Sequence, residues 1–270
     1  MNRILEIEAI DVAGLPEPSK KDWTAIIPAA GRGTRLQDAR PKILYPLLGK
    51  PMVEWLVRLL DPFVARFVFV LSREARPEVE RVLDALVKNR YDVAIQSSPD
   101  GMADAVWQAK PHVKTQHSLV VWGDQVALTR ETISACMYAH MSRQDPALTL
   151  PTVWRKNPYI HFERDDRERL MKVHQAREET LSLQEGENDC GIFFFKTTGL
   201  FDIIESARAQ RLSIGEKTGE FNLLPLLPLF DRKDGDVVTL RIKRLEETLG
   251  VNTPEDARRM EDILKARTSS

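Results

Sequence analysis

Near the start of the chain Gly31, Arg32, Gly33 and Arg35 stand together, and Pro41-Lys42 follows a few residues on. Glycines in such a run let backbone N–H groups approach a ligand closely, and the three cations bring the charge that a polyphosphate needs neutralised. The run follows Ala25-Ile26-Ile27-Pro28-Ala29-Ala30, an apolar stretch that reads as a buried strand emptying into a loop. Phosphate binding is the chemistry expected of that loop; a structural turn with solvated arginines is the alternative. It is neither a dinucleotide fingerprint nor a Walker loop, since Leu36 stands where G-x-G-x-x-G needs its third glycine and no G-K-[ST] follows.

The elements that must position this loop alternate. A strand over Thr24 to Ala29 precedes a helix from near Pro51, on which Val53, Leu56, Val57 and Leu60 share one face. Arg66 to Leu71 reads as a second strand, and Val79, Val82, Leu83 and Leu86 after Pro77 make a second helical stripe. Val93 to Gln96, a helix from Met102 to Ala109, and a strand from Leu119 to Trp122 ending in Gly123-Asp124 continue the order. This β-α-β-α rhythm predicts an α/β fold with a mostly parallel sheet flanked by helices.

From Ala147 the rhythm changes. Leu148 to Trp154 reads as a strand, the charged passage 157–188 as a β-hairpin excursion, and Gly191 to Phe195 as a buried strand. A helix over Leu200 to Arg208 and an apolar helix candidate from Phe221 to Phe230, bent or broken by Pro225 and Pro228, come next. Val237 to Ile242 reads as an edge or late strand, and Thr253 caps a last helix that begins with Pro254, Glu255 and Asp256. Residues 1–22 read as a short, strand-like appendage and linker, and 23–270 as one domain.

Ligands of open parallel sheets collect beyond the carboxyl ends of the strands. The loop at 31–35, the segment 96–102, the Gly123-Asp124 turn and the Gly250-Val251-Asn252 turn are therefore expected at one rim. Lys plus Arg total 39 against 40 Asp plus Glu, a net charge of −1, so neither nucleic acid nor an anionic membrane is an expected partner. Cys136 and Cys190 lack metal-ligand spacing and suit buried positions in a reducing cytosol, and the five histidines show no ligand spacing. The opening residues lack the apolar core of a signal peptide, and no later run spans a bilayer, so a soluble, cytoplasmic protein is expected.

The stretch AAGRGTRLQDARPK resembles the G-x-G-T-R, five residues, Pro-Lys signature of sugar-phosphate nucleotidyltransferases, most closely the domain that uridylylates N-acetylglucosamine 1-phosphate. The likeness extends through GKPMVEWLV at 49–57, Gln96 before Gly101, WGDQVAL at 122–128, CGIFFF at 190–195, GEF at 219–221 and LGVN at 249–252. It implies a Rossmann-like nucleotidyltransferase fold with a β-hairpin excursion for the acceptor. It implies that Ala29, Ala30, Gly31, Arg32, Gly33, Thr34, Met102 and Gly123 line the nucleotide, and that Gln96 and Gly101 read its base. Arg35 and Lys42 would act on the phosphates as catalytic residues, Asp124 and Asn252 would hold Mg²⁺, and Gln175, Asp189, Gly191 and Glu220 would meet the acceptor. A nucleoside triphosphate, UTP first, and a sugar 1-phosphate are the implied substrates, with a homo-oligomer also open.

Three departures fall at the acceptor end. Met102 replaces an expected Gly-Thr, Gln175 stands near an expected Glu, and Asp189 near an expected Asn, where an acid could favour an amino sugar or another phosphate monoester. No hexapeptide repeat is present, so the acyltransferase half of the bifunctional family members is not expected here. Cytidylyl transfer to another phosphate monoester or phosphonate is the alternative reaction, and a non-catalytic nucleotide-sugar sensor the alternative of another class. A glycosyltransferase of similar architecture would need a D-x-D motif, which Asp124-Gln125-Val126 is not.

Overall fold

A computed structural model of the chain describes residues 3–15, 19–31, 33–142, 146–181, 183–231 and 236–268. The first half runs β1 (Ile4–Glu6), β2 (Trp23–Pro28), the small hairpin β3 (Pro46–Leu47) and β4 (Lys50–Pro51), α1 (Met52–Leu60), β5 (Arg66–Leu71) and α2 (Arg76–Leu86). It continues with β6 (Tyr91–Ile95), α3 (Met102–Gln108), β7 (His117–Val121) and α4 (Arg130–Ser142). The second half holds β8 (Leu148–Lys156), β9 (Ile160–Arg164), β10 (Leu170–Gln175), β11 (Glu185–Asp189), β12 (Ile192–Lys196), α5 (Thr197–Ala209), β13 (Val237–Arg241) and α6 (Pro254–Thr268).

Nine strands form one sheet in the order β1-β13-β8-β12-β7-β2-β5-β6, with β11 beside the far half of β8. All pairings are parallel except those of β12 with β7 and β8 and of β11 with β8. Successive residues of a strand face opposite sides, so the central strands feed two cores. Ala25, Ile27, Phe67, Phe69, Leu119 and Val121 join α1, α2, α4 and α6 on one side. Ile26, Val68, Val70 and Val120 meet α3, α5 and the β9–β10 hairpin on the other. Burial on both faces is why Arg66–Leu71 reads as a continuous apolar run rather than an alternating one, each such side chain contributing about 1.5 to 3 kcal/mol.

The predicted hairpin excursion is β9–β10, antiparallel, with Gln175 opposite Ile160. The opening segment is strand-like as expected and becomes an edge: β1 runs parallel to β13, and a buried Arg3–Asp231 ion pair fastens it. Consequently β13 is an interior strand between β8 and β1, not an edge. Of the apolar stretch from Phe221 to Phe230, only Leu224–Phe230 is helical, as a 3₁₀ helix containing Pro225 and Pro228, because proline removes the donor an α-helix needs. Helix α4 has no counterpart in the sequence reading; Thr129 caps it, its Oγ1 accepting the Thr132 N–H at 3.2 Å.

One irregularity shapes the site. From Asp189 to Phe194 the chain advances five residues while β8 advances three, from Thr152 to Thr149. The excess falls at Cys190-Gly191, where Gly191 has φ +68°, and the bulge bends the strand from β8 towards β7.

Candidate active site

β2 delivers Pro28 and Ala29 to the rim, where the Ala29 N–H bonds the Val70 carbonyl at 2.8 Å. The chain then turns through Gly31 and Gly33. Gly33 has φ +62°, and a Cβ there would lie 2.7 Å from Lys42 Cβ, so the loop folds directly onto the lysine. Thr34–Leu36 is one 3₁₀ turn pinned by buried Leu36, leaving Arg35 exposed; Lys42–Leu44 is another, pinned by Ile43 and Leu44. Each cation thus stands on a turn whose apolar neighbours are locked in the core. Arg32 lies outside the described residues.

β7 supplies the opposite wall. Past its end, Gly123 packs under Pro28 and Ala29, and Asp124 meets the Gly250-Val251-Asn252 turn through the Val251 N–H to Asp124 carbonyl bond at 3.3 Å. Asn252 is fixed from two sides: its N–H donates to Asp256 Oδ2 at 3.0 Å, and its Nδ2 to the Gly250 carbonyl at 3.3 Å. Its Oδ1 is left to face the loop. There Lys42 Nζ donates to Asp124 Oδ2 at 2.5 Å and to Asn252 Oδ1 at 2.9 Å, while Arg35 donates to the same Asn252 oxygen at 3.0 Å. Residues 82 and 210 positions from Lys42 therefore converge on one ammonium. Thr253 Oγ1 accepts the Asp256 N–H at 3.1 Å, so the expected cap of α6 is also what holds this turn.

Two oxygens that share one cation also suit a hard divalent ion, which takes a few protein oxygens and fills its remaining positions from phosphates and water. No cluster of three or more His, Cys, Asp or Glu residues suited to a metal occurs among the described residues, so an ion here would rest on Asp124, Asn252 and its substrate.

The remaining wall is built by the strand bulge and the hairpin. Gln175, at the end of β10, and Asp189, at the end of β11, are both buried and both line the cavity. Asp189 is 6 % exposed, and its Oδ2 accepts the Gly191 N–H at 2.8 Å. No cation pairs with it among the described residues, and burial pushes its carboxyl up to about 6 against the backbone N–H groups of Gly191 and Asp189 itself, which hold it down. Arg177 donates to Glu220 at 2.7 Å, which ties the end of the hairpin to the 219–221 segment.

These walls enclose a cleft of 570 Å³. Ala29, Gly31, Arg35, Lys42, Met102, Gly123, Asp124, Gln175, Asp189 and Asn252 line it together. Ala30, Gly33, Thr34, Gly191 and Glu220 are not among the residues that line it. Gln96 is buried, its amide donating to the Gly101 carbonyl at 2.9 Å and to Asp104 at 3.0 Å, so it braces the loop that leads to α3. Gly101 has φ +107°, and a Cβ there would collide with the Phe221 carbonyl oxygen and lie 2.7 Å from its nitrogen. The lining also includes Gln125, Arg155, Tyr159, Arg177 and Asn222, which the sequence reading did not single out. Gln125 directly follows Asp124 and Asn222 follows the GEF segment, so adjacency to a motif was their only signal.

Residues 25–188 match the MobA-like NTP transferase domain. The chain belongs to that family of nucleotidyltransferases. Among curated proteins it is similar to the bifunctional protein GlmU of Desulfitobacterium hafniense, 27% identical over 92% of this chain and 53% of the relative. GlmU of an Exiguobacterium species is 31% identical over 91% of this chain and 53% of that protein. The chain thus spans about half the length of the curated relatives it matches. Among solved structures, the inositol-1-phosphate CTP transferase from T. maritima has the same fold, with a TM-score of 0.64 at 17% identity, covering 92% of this chain and 96% of that one. The Rossmann-like nucleotidyltransferase fold that the resemblance implies is the fold found. No helix among the described residues is long and apolar enough to cross a membrane.

Proposed function

We propose that the chain transfers a nucleotidyl group from a nucleoside triphosphate, UTP first, to a sugar 1-phosphate and releases pyrophosphate. The observation that carries this is the convergence of Arg35, Lys42, Asp124 and Asn252 in a cleft that Gln175 and Asp189 also line. In the reaction, an acceptor phosphate oxygen forms a bond to the α-phosphorus as the bond to the pyrophosphate oxygen breaks. The acceptor is already ionised, so no general base is required. Lys42 and Arg35 neutralise the gathering charge; aimed donors of this kind are each worth roughly 3 to 4 kcal/mol in the transition state. Asp124 and Asn252 would hold Mg²⁺, which, when bound, supplies further neutralisation of the phosphate oxygens.

Cytidylyl transfer is the second reading. It is favoured by the buried position of Gln96, whose side chain is occupied by Gly101 and Asp104, so that backbone groups would read the base. Pyrophosphate release measured with UTP, CTP, GTP and dTTP, each against glucose 1-, glucosamine 1- and N-acetylglucosamine 1-phosphate with Mg²⁺, decides between them. The proposal expects turnover with UTP that chelation abolishes. Preference for CTP would establish the second reading, and nucleotide binding without turnover of any pair would leave a sensor.

A further inference from the structure

Gln125 is 7 % exposed, lines the cleft, and its side-chain oxygen is buried with no hydrogen-bond partner among the described residues. Leaving a buried amide end unpaired is costly in a folded protein, and the sequence could have avoided it with leucine at similar volume. The side chain is also fixed in place. A Cβ on Gly191 would lie 2.5 Å from Gln125 Cγ and 2.7 Å from Trp122 Cδ1, and the Gln125 N–H bonds the Trp122 carbonyl at 3.1 Å. Gly191 is the residue whose N–H holds Asp189, so Gln125 and Asp189 flank one glycine. Two hydrogen-bonding groups there lack protein partners among the described residues for part of their capacity, and both line the cleft.

We propose that Gln125 is a specificity residue that pairs with a free hydroxyl of the acceptor. A hydroxyl both donates and accepts, so it satisfies the amide in either orientation, and it can donate to an ionised Asp189 as well. The acceptor class is therefore a polyhydroxylated phosphate ester with an unblocked hydroxyl at this place. A deoxygenated analogue leaves the amide unpaired and binds correspondingly less well. This inference rests on the nucleotidyl-transfer reading of the cleft.

The test is Gln125→Leu, assayed with glucose 1-phosphate and its 2-, 3-, 4- and 6-deoxy analogues, with thermal melting of the free protein alongside. One analogue is expected to raise the acceptor KM of the wild type about tenfold. Gln125→Leu should raise the KM for glucose 1-phosphate by a similar factor, leave the KM for the nucleotide unchanged, and no longer distinguish that analogue from its parent. Its melting temperature should equal or exceed that of the wild type, because the unpaired group is gone. Wild-type turnover with unchanged ratios across all analogues in Gln125→Leu would overturn the role of Gln125 alone, as would a lowered melting temperature with intact discrimination. No wild-type turnover with any nucleotide and sugar phosphate overturns the parent reading, and this inference with it.

Discussion

Asp189→Asn isolates the energetic cost of placing an acid in the cleft wall. The Asp189 carboxyl titrates near 6 in the fold against 3.8 ordinarily. Its folded value is raised, so the folded protein keeps a proton that the unfolded chain has already lost. Stability therefore falls as pH rises through that window and stays lower above it. A rise from 3.8 to about 6 corresponds to about 3 kcal/mol at neutral pH. Asparagine keeps an oxygen for the Gly191 N–H and removes the charge, at a cost of about 1 kcal/mol for its own unpaired amide hydrogens. Asp189→Asn should thus be about 1 to 3 kcal/mol more stable than the wild type near pH 8, and the gain should vanish near pH 4. Urea unfolding of both proteins across that range reads the difference directly. A gap independent of pH, or a variant less stable at about pH 8, would show that Asp189 is not an uncompensated buried acid.

Four further substitutions bear on the mechanism and its frame. Lys42→Ala and Asp124→Ala should each lower turnover at least about a hundredfold, with the melting temperature little changed; near-normal turnover in either removes it from the reaction. Gly33→Ala, which forces a Cβ against Lys42 at left-handed φ, should displace the lysine and lower kcat more than it raises the nucleotide KM, read by steady-state kinetics. Gly101→Ala, strained by φ and by collision with Phe221, should cost about 2 kcal/mol or more in denaturant unfolding.

The parts of the fold that show in the sequence are those whose physics is local. Arg66–Leu71 declares itself as a doubly covered strand, and Thr253 declares the last helix because a cap is a matter of three residues. Helix α4 is hidden because its buried face includes the polar Thr132 and His140 while its exposed face includes Tyr138 and Met141, which blurs the amphipathic period. Its one local mark is the Thr129 cap with Glu131 in the first turn. At the site, Arg35, Lys42, Asp124 and Asn252 are legible because their spacing is rigid: a loop, a lysine and two turns. Arg155 and Tyr159 are not, since they line the cleft from β8 and from the start of the hairpin at no fixed interval from any motif.

The position of β12 sets a limit on how the chain can be cut. β7 and β8 follow one another in sequence but do not touch as neighbours in the sheet; β12, from Ile192 to Lys196, is threaded between them. The stretch that matches the family ends at residue 188, before that strand begins. A fragment trimmed to it would carry two halves of a sheet with facing open edges, one of them the wholly buried β7. Such edges invite pairing with other chains. The sheet is therefore indivisible at the very boundary the family match suggests, and the cleft wall that carries Asp189 runs on into the strand that closes it.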